Sequence, residues 1–237
     1  MNISILNIDR LSRTQIKKEA EKVCRIINSE FPSLSSTKIS EFYNTKTNPY
    51  FQQYTHKIEN RIETKVRRPL WLSYRGEGSE LPFYQTLVEK IKDIKAANCG
   101  DLSKLCRLIC NMNGIPSHKA EMLIEKKDGQ FGGSIDHAIQ ILPLKKESIA
   151  FKPFAKLKDV LIIDPWLGFA EFAPKAEEKF LKEYNLFFNL EDGSRIILDN
   201  YKDYEPTVTD QVIRYFRQHF PQFIIDKKKP LIDHHNK

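Results

Sequence analysis

The chain has 237 residues, 41% of them hydrophobic, with only 9 Gly and 12 Pro, the composition of a globular protein able to bury a large core. No run is apolar and long enough to span a bilayer, and the opening Met1-Asn2-Ile3-Ser4-Ile5-Leu6 lacks the basic region and long apolar stretch of a secretory signal. The net charge of +7 and pI of about 9.1 are spread in pairs and triples such as Arg67-Arg68 and Lys227-Lys228-Lys229. Aromatics do not interleave with them, which disfavours a nucleic-acid partner.

Ile16, Ala20, Val23 and Ile27 recur at helical spacing and predict a helix over 13–30, ended by Pro32. Residues 32–48 are rich in Ser and Thr and read as a loop. A second helix is expected from about Tyr50 to Val66. Arg68-Pro69 should stop it, with Leu70-Trp71-Leu72-Ser73-Tyr74 a short extended piece. Arg75-Gly76-Glu77-Gly78-Ser79 reads as a turn. Leu81 to Ala97 is again helical, with Leu87, Ile91 and Ile94 on one stripe.

Asn98 then precedes a run with Leu102, Leu105, Cys106 and Ile109 at i, i+3, i+4 and i+7, closed by Gly114 and Pro116. Ala120 to Ile124 reads as a strand followed by the turn Lys127-Asp128-Gly129. His137 to Leu142 is a second strand ended by Pro143, and Val160 to Ile163 a third ended by Asp164-Pro165. Their closeness in sequence favours antiparallel pairing. Pro174 to Tyr184 is helical. Asp192-Gly193 can turn a hairpin between Leu186-Phe187-Phe188 and Arg195-Ile196-Ile197-Leu198. Thr207 to Phe220 is a last helix, and Lys227 to Lys237 a tail. The chain therefore reads as α+β: a helical region over 1–95, a core over 96–225 and a flexible basic tail over 226–237.

Cys24, Cys99, Cys106 and Cys110 form a poor disulfide framework, since three lie within one short stretch. Reduced thiols and a reducing compartment are expected. Cys99 differs from the others. With Asn98 as N-cap and Asp101 as the acidic member of a capping box, Cys99 falls at the first helical position, ahead of the apolar stripe. The dipole and amides there favour a thiolate and can hold an oxyanion. Cys106 and Cys110 read as buried small residues.

His137 opens its strand, and alternation puts His137, Ile139 and Ile141 on one face. Gly132-Gly133 just before it reads as a flexible approach. Asp164 follows four aliphatics, where a carboxylate is costly without a partner, and an imidazole N–H is a fitting one. Trp166 can shield such a pair from water. A thiol, a base and an orienter are the parts of nucleophilic cysteine catalysis.

Asn98-Cys99-Gly100-Asp101 before an aliphatic helix, Asp136-His137-Ala138 and Ile163-Asp164-Pro165-Trp166 resemble the papain-like and transglutaminase-like Cys-His-Asp enzymes, in particular their bacterial effector and toxin members. The resemblance covers about residues 95–170. It implies a nucleophile helix packed on an antiparallel sheet. It also implies Cys99 as nucleophile, His137 as general base and Asp164 as orienter. The reaction implied is hydrolysis or acyl transfer on a protein substrate: glutamine deamidation, cross-linking or proteolysis. A host protein is among the candidate substrates, with delivery from a bacterium by a specialised secretion system. No cofactor and no metal is called for. Papain-type proteases often carry an oxyanion-hole Gln a few residues before the Cys. Lys92-Asp93-Ile94-Lys95 holds none, which weighs on the protease assignment more than on the superfamily. Asn98, Gly100, Gln140 and Trp166 are the oxyanion or substrate-site candidates.

Other readings stand beside this one. Cys99, Cys106, Cys110 and His118 can be counted as zinc ligands, although they lack the close CxxC pair of structural zinc modules. Asp233, His234 and His235 are a loose metal candidate in the tail. The helical first part, with Trp71, Tyr74 and Phe83, can serve a catalytically inactive binding or adaptor protein. An arylamine acetyltransferase also uses Cys, His and Asp, but no coenzyme site is evident.

Overall fold

The computed structural model describes residues 11–32, 49–145, 149–183, 192–199 and 206–225. Parts of several expectations lie outside the described residues: most of the Ser/Thr-rich loop, the Leu186–Phe188 arm of the hairpin, the chain start, and the basic tail with Asp233, His234 and His235.

Helix α1 runs over Arg13–Glu30, opened by a capping box in which Ser12 and Gln15 satisfy each other's backbone amides. Helix α2 spans Pro49–Ile62 and passes through a π turn at Glu63–Arg67 into α3, Arg68–Ser73. The expected stop at Arg68-Pro69 does not occur, and Leu70–Ser73 is helical, not extended. Proline has no N–H to give, but it is tolerated in a first helical turn, and Pro69 sits there in α3. The preceding turn widens so that Arg68 N–H reaches back to the Glu63 carbonyl.

Gly76 and Gly78, both at positive φ, turn the chain into α4, Glu80–Ile94. That helix stops earlier than Ala97 because Lys95 takes the left-handed conformation. Helix α5 follows at Cys99–Met112. Strands β1 (His118–Glu125), β2 (Phe131–Pro143) and β3 (Val160–Asp164) come next. Strand β4 (Phe169–Phe172) was not expected; it completes a hairpin with β3 around Pro165–Gly168. Helix α6 is Ala173–Glu183, β5 is Arg195–Leu198 and α7 is Asp210–His219, capped by Thr209. The turn at Asp192-Gly193 leads into β5, which pairs with β1.

The five strands lie in the order β4-β3-β2-β1-β5, and every pairing is antiparallel. Strand β3 explains the layering. Leu161 and Ile163 enter one core, whereas Val160 and Ile162 enter another on the opposite face. The first core holds α1, α4, α5 and α7 against the sheet, and runs from Ile16 to Ile225. The second is smaller and seats Phe180 of α6 with Phe154, Ile139 and Ile141. A sheet covered on both faces accounts for the unbroken aliphatic run of β3. Among the described residues no helix is long and apolar enough to cross a membrane.

Candidate active site

Cys99 is the first residue of α5. Asn98 caps the helix, and the Asn98 N–H donates to Asp101 Oδ2 at 3.2 Å, the reciprocal half of the expected capping box. Cys99 is partly exposed, while Cys24, Cys106 and Cys110 are buried, and all four are free thiols. Burial pushes the Cys24 and Cys106 thiols well above their ordinary range. The Cys106 and Cys110 sulfurs lie 3.8 Å apart inside α5. Among the described residues no group of three or more His, Cys, Asp or Glu is placed to hold a metal ion.

His137 does not open its strand. Strand β2 starts at Phe131, so Gly132 and Gly133 are part of the sheet and not a loose approach. At Gly132 the reason for glycine is crowding, because a Cβ there would come within 3.0 Å of the Ile124 side chain. The β1–β2 register jumps from Glu121 opposite Ala138 to Met122 opposite Ile135, which leaves Asp136 and His137 without opposed residues. His137 thus stands in a β-bulge, a device that re-aims a side chain. Ile139 and Ile141 keep the expected shared face in the second core. His137 also meets Phe180 of that core, with ring centroids 6.5 Å apart.

His137 Nε2 lies 2.6 Å from Asp164 Oδ2, and both side chains are buried. Asp164 Oδ1 accepts the Trp166 and Leu167 amides at 3.0 and 2.9 Å, so the turn after β3 fixes the carboxylate. The Trp166 ring packs on the imidazole with centroids 5.0 Å apart and is only 2% exposed. It excludes water from the pair. Burial alone would lower the His137 pKa. The Asp164 carboxylate outweighs it, and with a hydrogen bond to Cys99 raises it from 6.5 to about 10. With Nε2 committed to Asp164, Nδ1 is the nitrogen left for Cys99.

No family model matches the chain, and neither a curated protein nor a solved structure matches it.

Cys99, His137 and Asp164 come together from α5, β2 and the end of β3. Gly100 lines the same cleft, and a Cβ there would meet only Lys104 Nζ, at 3.9 Å. Gln140 is placed elsewhere. It is fully buried behind the site, where its Nε2 donates to Ser103 Oγ at 2.9 Å, and Ser103 Oγ donates to the Ile139 carbonyl at 3.3 Å. This relay ties the turn after Cys99 to the strand that carries His137. Sequence reasoning missed Ser103; a lone hydroxyl on an otherwise apolar helix face was its only trace. Ser103→Ala is expected to cost about 1–3 kcal/mol, because the buried Gln140 amide loses its acceptor. Urea denaturation of the two proteins measures it.

Sequence reasoning also missed the far wall of the cleft. A cavity of about 210 Å³ in front of Cys99 and His137 is bounded by Arg67, Leu70 and Trp71. These stand at i, i+3 and i+4, one helical face, because the helix continues through Pro69. Their signal in the sequence was that spacing, masked by the proline.

Proposed function

We propose that this protein is a thiol-dependent hydrolase or acyltransferase acting on a protein substrate through Cys99, His137 and Asp164. The observation that carries the reading is the buried His137–Asp164 pair, 2.6 Å apart, hydrogen-bonded onward to a cysteine at a helix mouth. A carboxylate fixes the ring, and an imidazolium beside a helix N-terminus favours negative charge on sulfur. The resemblance to papain-like and transglutaminase-like enzymes supports the same roles, as does a helix packed on an antiparallel sheet.

The step follows from these parts. Cys99 gives its proton to His137, and the thiolate attacks a carboxamide or peptide carbonyl. The sulfur–carbon bond forms as the carbonyl oxygen takes up negative charge, which the first-turn amides of α5, Gly100 among them, can stabilise. Collapse breaks the carbon–nitrogen bond, and His137 returns the proton to the departing ammonia or amine. Water or a second amine then resolves the thioester, with His137 again taking the proton. Water gives deamidation or cleavage; a lysine gives a cross-link.

Iodoacetamide labelling at pH 6, read by mass spectrometry at each cysteine, tests the reading. Cys99 is expected to react far ahead of Cys24, Cys106 and Cys110. Labelling of Cys99 no faster than that of a free small thiol would rule the mechanism out.

A further inference from the structure

The cleft carries charged residues on three sides, with Arg67 on the wall opposite the reactive pair, Lys104 on the helix of Cys99, and Lys119 and Glu121 on β1. Among the described residues that line the cleft, Arg67, Lys104 and Lys119 are basic and Glu121 is acidic. Lys119 stands 3.8 Å from Glu121. Arg67 is the last residue of the π turn, and such turns often sit at functional sites. Among the described residues its guanidinium meets two carboxylates, Glu63 at 3.8 Å and Asp101 at 3.7 Å, both beyond hydrogen-bond length. Asp101 is fully buried, and its Oδ1, the oxygen facing Arg67, accepts no hydrogen bond among the described residues. The two charges hold each other in place, yet the planar fork of N–H donors on Arg67 stays open to a ligand.

Trp71 lies one turn beyond Arg67 on the same face and is 50% exposed. Its ring is braced edge-on by Tyr74 and Phe83, with centroids 6.5 and 6.2 Å away. A rigid aromatic plane beside an open guanidinium suits a short aliphatic stem that ends in a carboxylate.

We propose that Arg67 is the specificity residue of the site, and that the acyl donor carries a carboxylate, from an acidic residue of a protein substrate, beside the carbonyl that Cys99 attacks. This rests on the acyl-transfer reading above. The carboxylate sits on the Arg67 fork, and its stem crosses Trp71. A neutral or basic neighbour leaves the fork unfilled.

Iodoacetate and iodoacetamide test this without a known substrate. In both, the Cys99 sulfur bonds the methylene carbon and iodide leaves; the reagents differ by one negative charge. Their rate ratio at Cys99 cancels any change in thiolate fraction. In the full chain the iodoacetate/iodoacetamide ratio is expected to exceed that of N-acetylcysteine by about tenfold, the size of one charge-assisted contact. Arg67→Gln should remove most of the excess. Arg67→Lys should keep an intermediate part, and Lys104→Gln should remove less than Arg67→Gln. A wild-type ratio equal to that of N-acetylcysteine, or equal falls in Arg67→Gln and Lys104→Gln, overturns the assignment. Slow labelling by both reagents, unchanged in His137→Ala, sinks the acyl-transfer reading itself. Fast labelling with a ratio indifferent to Arg67 sinks only this one. A Glu-flanked glutamine peptide should protect Cys99 from iodoacetamide better than a Lys-flanked one, and better than glutarate at equal carboxylate. Glutarate matching the peptide would overturn the protein source of the carboxylate.

Discussion

His137→Ala is expected to slow iodoacetamide labelling of Cys99 at pH 6 by on the order of a hundredfold, because an ordinary thiol with a pKa of about 8.5 is almost wholly protonated there. The wild type starts from a different state. His137 is raised to about 10, so it is an imidazolium at pH 6 and sits against the sulfur. Removing it leaves the helix mouth alone to favour the thiolate, and that field is the weaker of the two. Cys99→Ala should abolish acyl transfer altogether while leaving the fold intact, since the residue is partly exposed at the edge of the larger core and alanine keeps its Cβ. Turnover of an amide substrate should also decline as pH rises through about 10, where His137 loses the proton it must give to the leaving amine. Unchanged labelling in His137→Ala would show that the two side chains do not act together.

Asp164→Ala is expected to destabilise the protein by about 3–5 kcal/mol, the cost of leaving a buried charge without its partner. The loss has several sources. His137 loses its counter-ion at 2.6 Å, and the Trp166 and Leu167 amides lose the acceptor that shapes the β3–β4 turn. Asp164→Asn separates them, because an amide oxygen can still take the two backbone bonds. Its deficit should depend on pH in one direction. His137 has a folded pKa raised from 6.5 to about 10, so its pairing contributes fully below about pH 6.5. The contribution fades as pH rises and is gone above about pH 10. Urea midpoints of wild type and Asp164→Asn across pH 6 to 10 should therefore converge at the alkaline end. A constant gap would show that the pair is not charged in the folded protein.

Much of the site was legible because its signals are local. A capping box spans Asn98 to Asp101, so the sequence alone places Cys99 at a helix mouth. Asp164 was legible as a costly carboxylate at the end of an aliphatic strand. The apolar stripes of α1, α4 and α5 marked the faces that became the larger core.

The rest was decided by pairing between distant segments. The register of β1 against β2 creates the bulge at Asp136 and His137, and no residue near His137 announces it. Alternation indicates the face of the imidazole; the mismatch of two strands leaves it without an opposed residue. Gln140, an oxyanion candidate in the sequence, is claimed by Ser103 of a packed helix. Pro69 reads locally as a stop, but packing of Val66 and Leu70 into the core keeps the helix going through a π turn. Only that continuity carries Arg67 and Trp71 to the cleft. Sequence by itself determined which chemistry stands at each element's end, since caps, breakers and periodicity act within a few residues. Tertiary structure decided which ends meet and what faces them, because strand register and helix packing are settled by cores that local sequence does not contain.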